Sequence, residues 1–210
     1  MSRSATGPQT IDSSDRRDEI VEAAGRLFSE SGYHTTSMRD LARAVNLQGG
    51  SLYSHITSKD EVLFEIVSRA ADEFLAAAAS VPAELSPAFR LARLIQGHLR
   101  VMAREIRLAT VFFQDWRYLS PERREIIALR RDEYEAHFRD TIEAGAEAGV
   151  FHVESPRLAA IFVLSALNWT YQWYDPNGSL SPDELASQYC RMLFGALGGP
   201  NQLKLEAGND

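Results

Sequence analysis

The stretch that decides the fold runs from Gly32 to Lys59, GYHTTSMRDLARAVNLQGGSLYSHITSK. Within it Met38, Leu41, Ala42 and Val45 recur at i, i+3, i+4 and i+7, one apolar stripe on a short helix. Ser37 and Asp40 stand at N-cap and N3 spacing, the pattern of a capping box that starts such a helix. Asn46 tolerates the left-handed conformation that stops it. A second short helix turns Leu52 and Ile56 inward and leaves Gly49, Ser51, Ser54 and His55 outward, with Tyr53 between the two faces. Two short helices joined by a tight turn are a helix-turn-helix, whose second helix reads the major groove of DNA.

Outward from this stretch the helical pattern continues in both directions. Ile20, Val21, Ala24, Leu27 and Phe28 form the apolar face of a first helix, about 15–31, which Gly32 ends. Ser58 caps a fourth helix that reaches about Ala79, with Asp60 and Glu61 in the first turn where the helix dipole favours negative charge. Pro82 and Pro87 mark a boundary, and five more helical segments follow, at about 87–103, 104–115, 121–148, 156–174 and 182–197. The expected fold is all-α, about nine helices. Residues 1–14 read as a disordered arm and 15–62 as a three-helix DNA-binding domain with its linking helix to about 79. Residues 80–199 read as a helical bundle, and 200–210 as a polar tail.

Composition narrows the function classes. The lone cysteine, Cys190, excludes an intrachain disulfide and fits a reducing compartment. Neither a signal peptide nor a run long enough to span a bilayer is visible, so a soluble cytoplasmic protein without membrane partners is expected. His98, His137 and His152 are scattered without metal-ligand spacing, and no phosphate loop, nucleophile elbow or carboxylate pair appears. No metal site, resident cofactor or catalytic residue is therefore expected. Net charge pulls against DNA binding: the chain carries −7, and residues 1–65 hold seven basic groups against ten acidic. Only within 37–59 is the balance favourable, three basic to one acidic. Such a reader has to lean on hydroxyls and backbone amides for its phosphate contacts.

The same residues carry a family resemblance. Ile20, Ala24, Leu27, Phe28, Gly32, Tyr33, Thr36, Ser37, Leu41, Ala42, Ala44, Gly50, Ser51, Leu52, Tyr53, Ser58, Lys59, Asp60 and Leu63 follow the pattern of the TetR family of transcriptional regulators. Asn46, Gln48 and Ile56 depart from it, and Gly49 stands where the family often places a side chain that reaches DNA. The resemblance implies a homodimer on palindromic operator DNA, repression as the default, and release by a small-molecule effector. Gln48, Gly49, Ser51, Tyr53 and His55 are the candidates on the groove side, and Thr36, Ser37, Tyr53 and Lys59 those for phosphates.

The second module is heavy in aromatics interleaved with polar groups, the composition of an effector cavity between helices. Phe112, Phe113, Gln114, Trp116, Arg117, Arg130, Arg131, Tyr134, Phe138, Trp169, Gln172 and Trp173 are its candidate residues. Their layout resembles the TetR branch controlling fatty-acid and steroid-ring catabolism, which implies an acyl-coenzyme A effector held by arginines at its phosphates. The last two segments, the first of them apolar nearly all round, are the expected dimer interface, as the resemblance implies. Three alternatives stay open: a lipophilic drug-like effector, a helical ligand carrier that no longer reads DNA, and an enzyme acting on a thioester.

Overall fold

The computed structural model describes residues 13–200, and all the regular structure among them is helical. The reader consists of α1 (Ser13–Ser31), α2 (Met38–Ala44) and α3 (Gly49–Leu52). Helix α4 (Lys59–Ala79) leads into α5 (Pro87–Arg104) and α6 (Ile106–Asp115), and a 3-10 turn η1 (Trp116–Tyr118) follows. The long α7 (Pro121–Glu147), α8 (Pro156–Asn168), a second 3-10 turn η2 (Trp169–Gln172) and α9 (Pro182–Ala196) complete the bundle. The expected arm and tail lie outside the described residues, except that Ser13 and Ser14 already belong to α1.

The helix boundaries follow from local chemistry. Ser37 accepts the Asp40 amide while the Asp40 carboxylate accepts the Ser37 amide at 2.9 Å, so the expected capping box forms. Asn46 takes φ 54°, and the Leu47 amide reaches back to the Ala42 carbonyl at 2.8 Å. With Asn46 N–H on Arg43 O at 3.2 Å, this is a Schellman motif. Ser58 and Ser181 cap α4 and α9, each accepting an amide three residues on. The segment expected as one helix over 156–174 is broken at Asn168, where α8 tightens into η2.

Packing divides the molecule differently from the sequence. One core runs from Ile20 through α4 to Val111, Phe112, Leu119 and Ile127, so the reader and α6 share it without a break. Gly25 permits the close crossing of α1 on α6: a Cβ there would stand 3.2 Å from Leu108. A second core joins α5, the later turns of α7, α8 and α9 around Phe138, Ile142, Phe151 and Phe194. Of the described helices, none is long and apolar enough to cross a membrane.

Because Asn46 holds the left-handed turn on which α3 depends, its substitution has a predictable sign. A β-branched Asn46→Val should cost about 1–2 kcal/mol, the penalty of an L-residue in that conformation, whereas Asn46→Gly should cost nothing or stabilise. Urea melts of the two variants, compared at one pH, measure both.

Candidate nucleic-acid interface and effector cavity

The outward face of the helix-turn-helix is as small as its sequence. Leu52 and Ile56 are buried, while Gln48, Gly49, Gly50, Ser51, Tyr53 and Ser54 are exposed and His55 is partly so. Tyr53, 55% exposed, is the one large side chain that this face projects. Nothing lies within 4 Å of where a Cβ would stand on Gly49 or Gly50, so this edge is open backbone. A helix this short presents its amides, phenol and hydroxyls to a groove with little steric bulk.

The phosphate candidates fare unequally. Ser37 is exposed, but its hydroxyl is occupied by the Asp40 capping box. Thr36 corrects the expectation: it is buried, and its hydroxyl donates to Gly32 O at 3.0 Å, holding the turn between α1 and α2. The Lys59 ammonium sits 4.0 Å over the Tyr33 ring and beside Asp115, and burial lowers its pKa. It is thus held at the domain junction. The exposed cations on α2 are Arg39 and Arg43, the latter with Asp40 at 3.3 Å. The sequence reading had counted both as net charge without assigning them a role; their place on the open face of α2 is the signal that was available.

Between α4, α6, α7 and α8 lies a cavity of about 230 Å³. Phe112, Phe113, Arg130, Arg131 and Tyr134 line it as expected. Ala71 and Phe74 from α4 and Ile161, Leu164, Ser165 and Asn168 from α8 complete the wall, and Asp132 and Glu135 stand at its rim. Phe74 had no sequence signal beyond a helical period, because nothing in a lone α4 says which turn faces a neighbour. Tyr134 is hydrogen-bonded to the buried His98 at 3.0 Å, with Phe74 and Phe138 packed on its ring. Burial holds the His98 imidazole at about 3 and pushes the Tyr134 phenol up, so both stay neutral.

Several expected cavity residues lie elsewhere. Phe138 is fully buried in the second core, behind Tyr134. Gln114 and Arg117 are exposed and do not line the cavity. Trp169, Gln172 and Trp173 point to solvent, the two tryptophans 62% and 50% exposed. Trp169 continues the exposed edge of α8 on which Leu158, Phe162 and Ser165 lie, and η2 carries Gln172 and Trp173 outward beyond it. Trp116 stays partly buried beside the cavity, 4.9 Å from the Arg131 guanidinium.

The junction between reader and bundle is polar and aromatic. Tyr118 stacks on Tyr33 with centroids 6.0 Å apart and meets His34 edge-on at 4.1 Å. The Asp60 carboxylate accepts the Ser120 amide at 2.9 Å and the Arg123 guanidinium at 2.7 Å. Arg17 of α1 donates to Glu61 and Glu65 of α4, and Glu61, with Thr57 and Arg17 on it, is held at about 2. Asp115 is the exception. It is 6% exposed, its Oδ2 has no hydrogen-bond partner, and burial pushes its carboxyl up to about 6 despite His34 and Lys59 nearby.

The comparisons agree with this geometry. Residues 20–66 match the family of bacterial regulatory proteins, tetR family, and residues 84–197 match the tetracyclin repressor-like C-terminal domain. The transcriptional repressor KstR2 of Rhodococcus jostii is 27% identical over 195 residues, 91% of this chain and 96% of its own. The TetR-family regulator PfmR of Thermus thermophilus is 34% identical with a TM-score of 0.79, over 88% of this chain and all of its own. AibR, solved with isovaleryl coenzyme A and operator DNA, is 26% identical with a TM-score of 0.79, over 85% of this chain and 98% of its own.

Asp115 generates a pH dependence. Its folded pKa lies above the ordinary carboxylate value, so its stabilising contribution is full below about 4 and lost as pH rises through about 6. Asp115→Asn should remove that slope and raise stability at pH 7.5 by about 1–3 kcal/mol, read from urea melts at pH 4.5 to 7.5. From matched sequence at both ends, a helix-turn-helix and a shared overall fold, the chain belongs to the TetR family of bacterial regulatory proteins.

Proposed function

We propose that this chain is a homodimeric repressor that binds a palindromic operator and is released by a small-molecule effector, an acyl-coenzyme A thioester. The observation that carries the reading is the sharing of one helix. Helix α4 begins against the reader at Lys59 and, four turns on, contributes Ala71 and Phe74 to an aromatic cavity with an arginine in its wall. The groove-side residues are Gln48, Gly49, Ser51, Tyr53 and His55, with Ser37, Arg39 and Arg43 toward the phosphates.

Dimerisation is supported by what α8 and α9 leave uncovered. Leu158, Ile161, Phe162, Ser165 and Trp169 make a continuous outward stripe, and Met192 is exposed on α9 beside Gly195 and Ala196. An apolar stripe of this length on a soluble domain calls for a partner, and a two-fold copy of the same stripe supplies one. Ile161 and Ser165 also border the cavity, so the second copy would sit near its mouth.

The effector class follows from chemistry. Phe74, Phe112 and Phe113 give an acyl group an apolar wall, and Arg130 and Arg131 stand where nucleotide phosphates would be held. AibR, solved with isovaleryl coenzyme A, is a similar protein with an effector of this class.

Two measurements test the reading. Duplexes selected from a random pool by the wild-type protein should contain an inverted repeat, and short acyl-coenzyme A thioesters should weaken their binding. Capture of no sequence at any salt would instead favour a ligand carrier, and steady consumption of the thioester would favour an enzyme. Tyr53→Ala should lower operator affinity at least tenfold, about 1.4 kcal/mol, with the circular dichroism of the wild type. Phe162→Glu should shift the dimer to monomer in sedimentation velocity.

A further inference from the structure

Arg131 is held unlike its neighbours. Arg130 donates to Asp72 at 3.0 Å and reaches the Ser68 carbonyl, and Arg123 is bound to Asp60. The Arg131 guanidinium makes neither a hydrogen bond nor an ion pair with any described residue. What surrounds it is ring faces: Trp116 at 4.9 Å, Phe112 at 5.1 Å and Phe113 at 6.0 Å. Burial and the nearby Arg117 disfavour its charge, and only Asp132 and Glu135, at longer range, favour it. Five guanidinium donors beside a cavity, stripped of much of their water and given no acceptor, form a site for an anionic oxygen.

One of those three rings ties the site to the DNA reader. Trp116 is the first residue of η1, and Tyr118, its last, stacks on Tyr33 and meets His34. Tyr33 and His34 lie in the turn that Thr36 pins to Gly32 and that presents Ser37, the N-cap of α2. Arg131, Trp116, Tyr118 and the α2 turn are therefore one continuous line of contacts, some three residues of chain long at its centre.

We propose that Arg131 is the anion-sensing residue of the cavity, and that binding the effector's carboxylate or phosphate draws the guanidinium off Trp116 and loosens η1 from the DNA reader. The inference rests on the effector-released reading above and adds the group that is recognised and the route of the signal. A cation on a partly exposed aromatic face is a weak attraction. A charge-assisted bidentate pair with an anion contributes more, so the exchange runs toward the ligand. Because η1 is a single 3-10 turn, a shift of Trp116 reaches Tyr118 with nothing between to absorb it.

The test uses the full-length protein and four probes. These are isovaleryl-coenzyme A, the neutral thioester S-isovaleryl-N-acetylcysteamine, isovalerate and inorganic pyrophosphate. Binding to wild type, Arg131→Gln and Arg131→Lys is measured by calorimetry. Operator affinity is measured with and without each probe, each variant against its own ligand-free value. Arg131→Gln should lose at least tenfold in affinity for the anionic probes and little for the neutral thioester, and Arg131→Lys should recover part of the loss. Isovalerate and pyrophosphate separate an acyl carboxylate from a nucleotide phosphate as the anion sensed. Tyr118→Ala and Trp116→Leu should bind the anionic probe as the wild type does, yet show less than a twofold change in operator affinity where the wild type shows at least tenfold. Equal anion binding by Arg131→Gln and wild type would overturn the sensing role, as would failure of every anionic probe to bind wild type. A full operator response in Tyr118→Ala would overturn the route. Arg131-dependent binding of isovalerate or pyrophosphate, with no binding of the thioesters, would sink the acyl-coenzyme A reading and leave Arg131 standing.

Discussion

Helix α4 buries Val62, Leu63, Ile66 and Val67 toward the reader and Ala70, Ala71, Phe74 and Ala78 toward the bundle, so one rigid element solves two packing problems. From Lys59 to Phe74 it spans about 22 Å at the usual helical rise. The apolar side of this arrangement carries most of the stability. The polar side fixes orientation: Asp60 binds Ser120 and Arg123, Glu61 and Glu65 bind Arg17, and Arg69 binds Asp18 and Glu65. These pairs are half-exposed, and each contributes only about 0–1 kcal/mol. Their number matters more than their strength, because they set the rotation of α4 against α1 and α7 without locking it.

A reader with so little charge depends on that rotation. Gly49 and Gly50 leave Tyr53 nearly alone on the leading edge, and Lys59 is turned inward onto Tyr33. With few phosphates neutralised per subunit, the expected salt dependence is shallow. In the proposed dimer, specific binding requires both recognition helices to meet their half-sites at once, which makes their spacing the dominant variable. A small rotation costs such a protein proportionally more of its affinity than it would cost a strongly basic one.

The reader was legible in the sequence because its signals are local. The Ser37–Asp40 cap, the Asn46 turn and the Leu41–Val45 stripe act within four residues of each other, and each formed as its chemistry requires. Ser58 and Ser181 capped their helices for the same reason. The cavity was legible only where one helix supplied several of its residues, as α6 and α7 do with Phe112, Phe113, Arg131 and Tyr134. Phe74, Leu164 and Asn168 come from helices whose facing depends on crossing angles, which no local pattern encodes. Trp169 and Trp173 are exposed in the single chain, which their hydrophobicity alone does not foretell. Thr36 differs in another way: residue type names what its hydroxyl can bind, but burial and the Gly32 carbonyl take it.

The continuity of the first core limits how the effector can act. Ile20, Phe28, Val67, Phe112 and Leu119 belong to one packed cluster, so the reader cannot swing as a free body without repacking the interior. Close-packed cores prefer discrete alternatives to gradual deformation, and the alternative begins where leaving the present state is least costly. That place is the polar junction around Asp115. Its carboxyl is buried with one oxygen unpartnered, and at neutral pH it is ionised against a pKa pushed up to about 6. The native arrangement therefore carries an unfavourable charge at the seam between η1, Lys59 and His34. Opening that seam rehydrates the carboxylate and returns part of the cost of separating Tyr118 from Tyr33. Under the proposed effector-released reading, an effector would have to supply only the remainder through its differential affinity for the opened state.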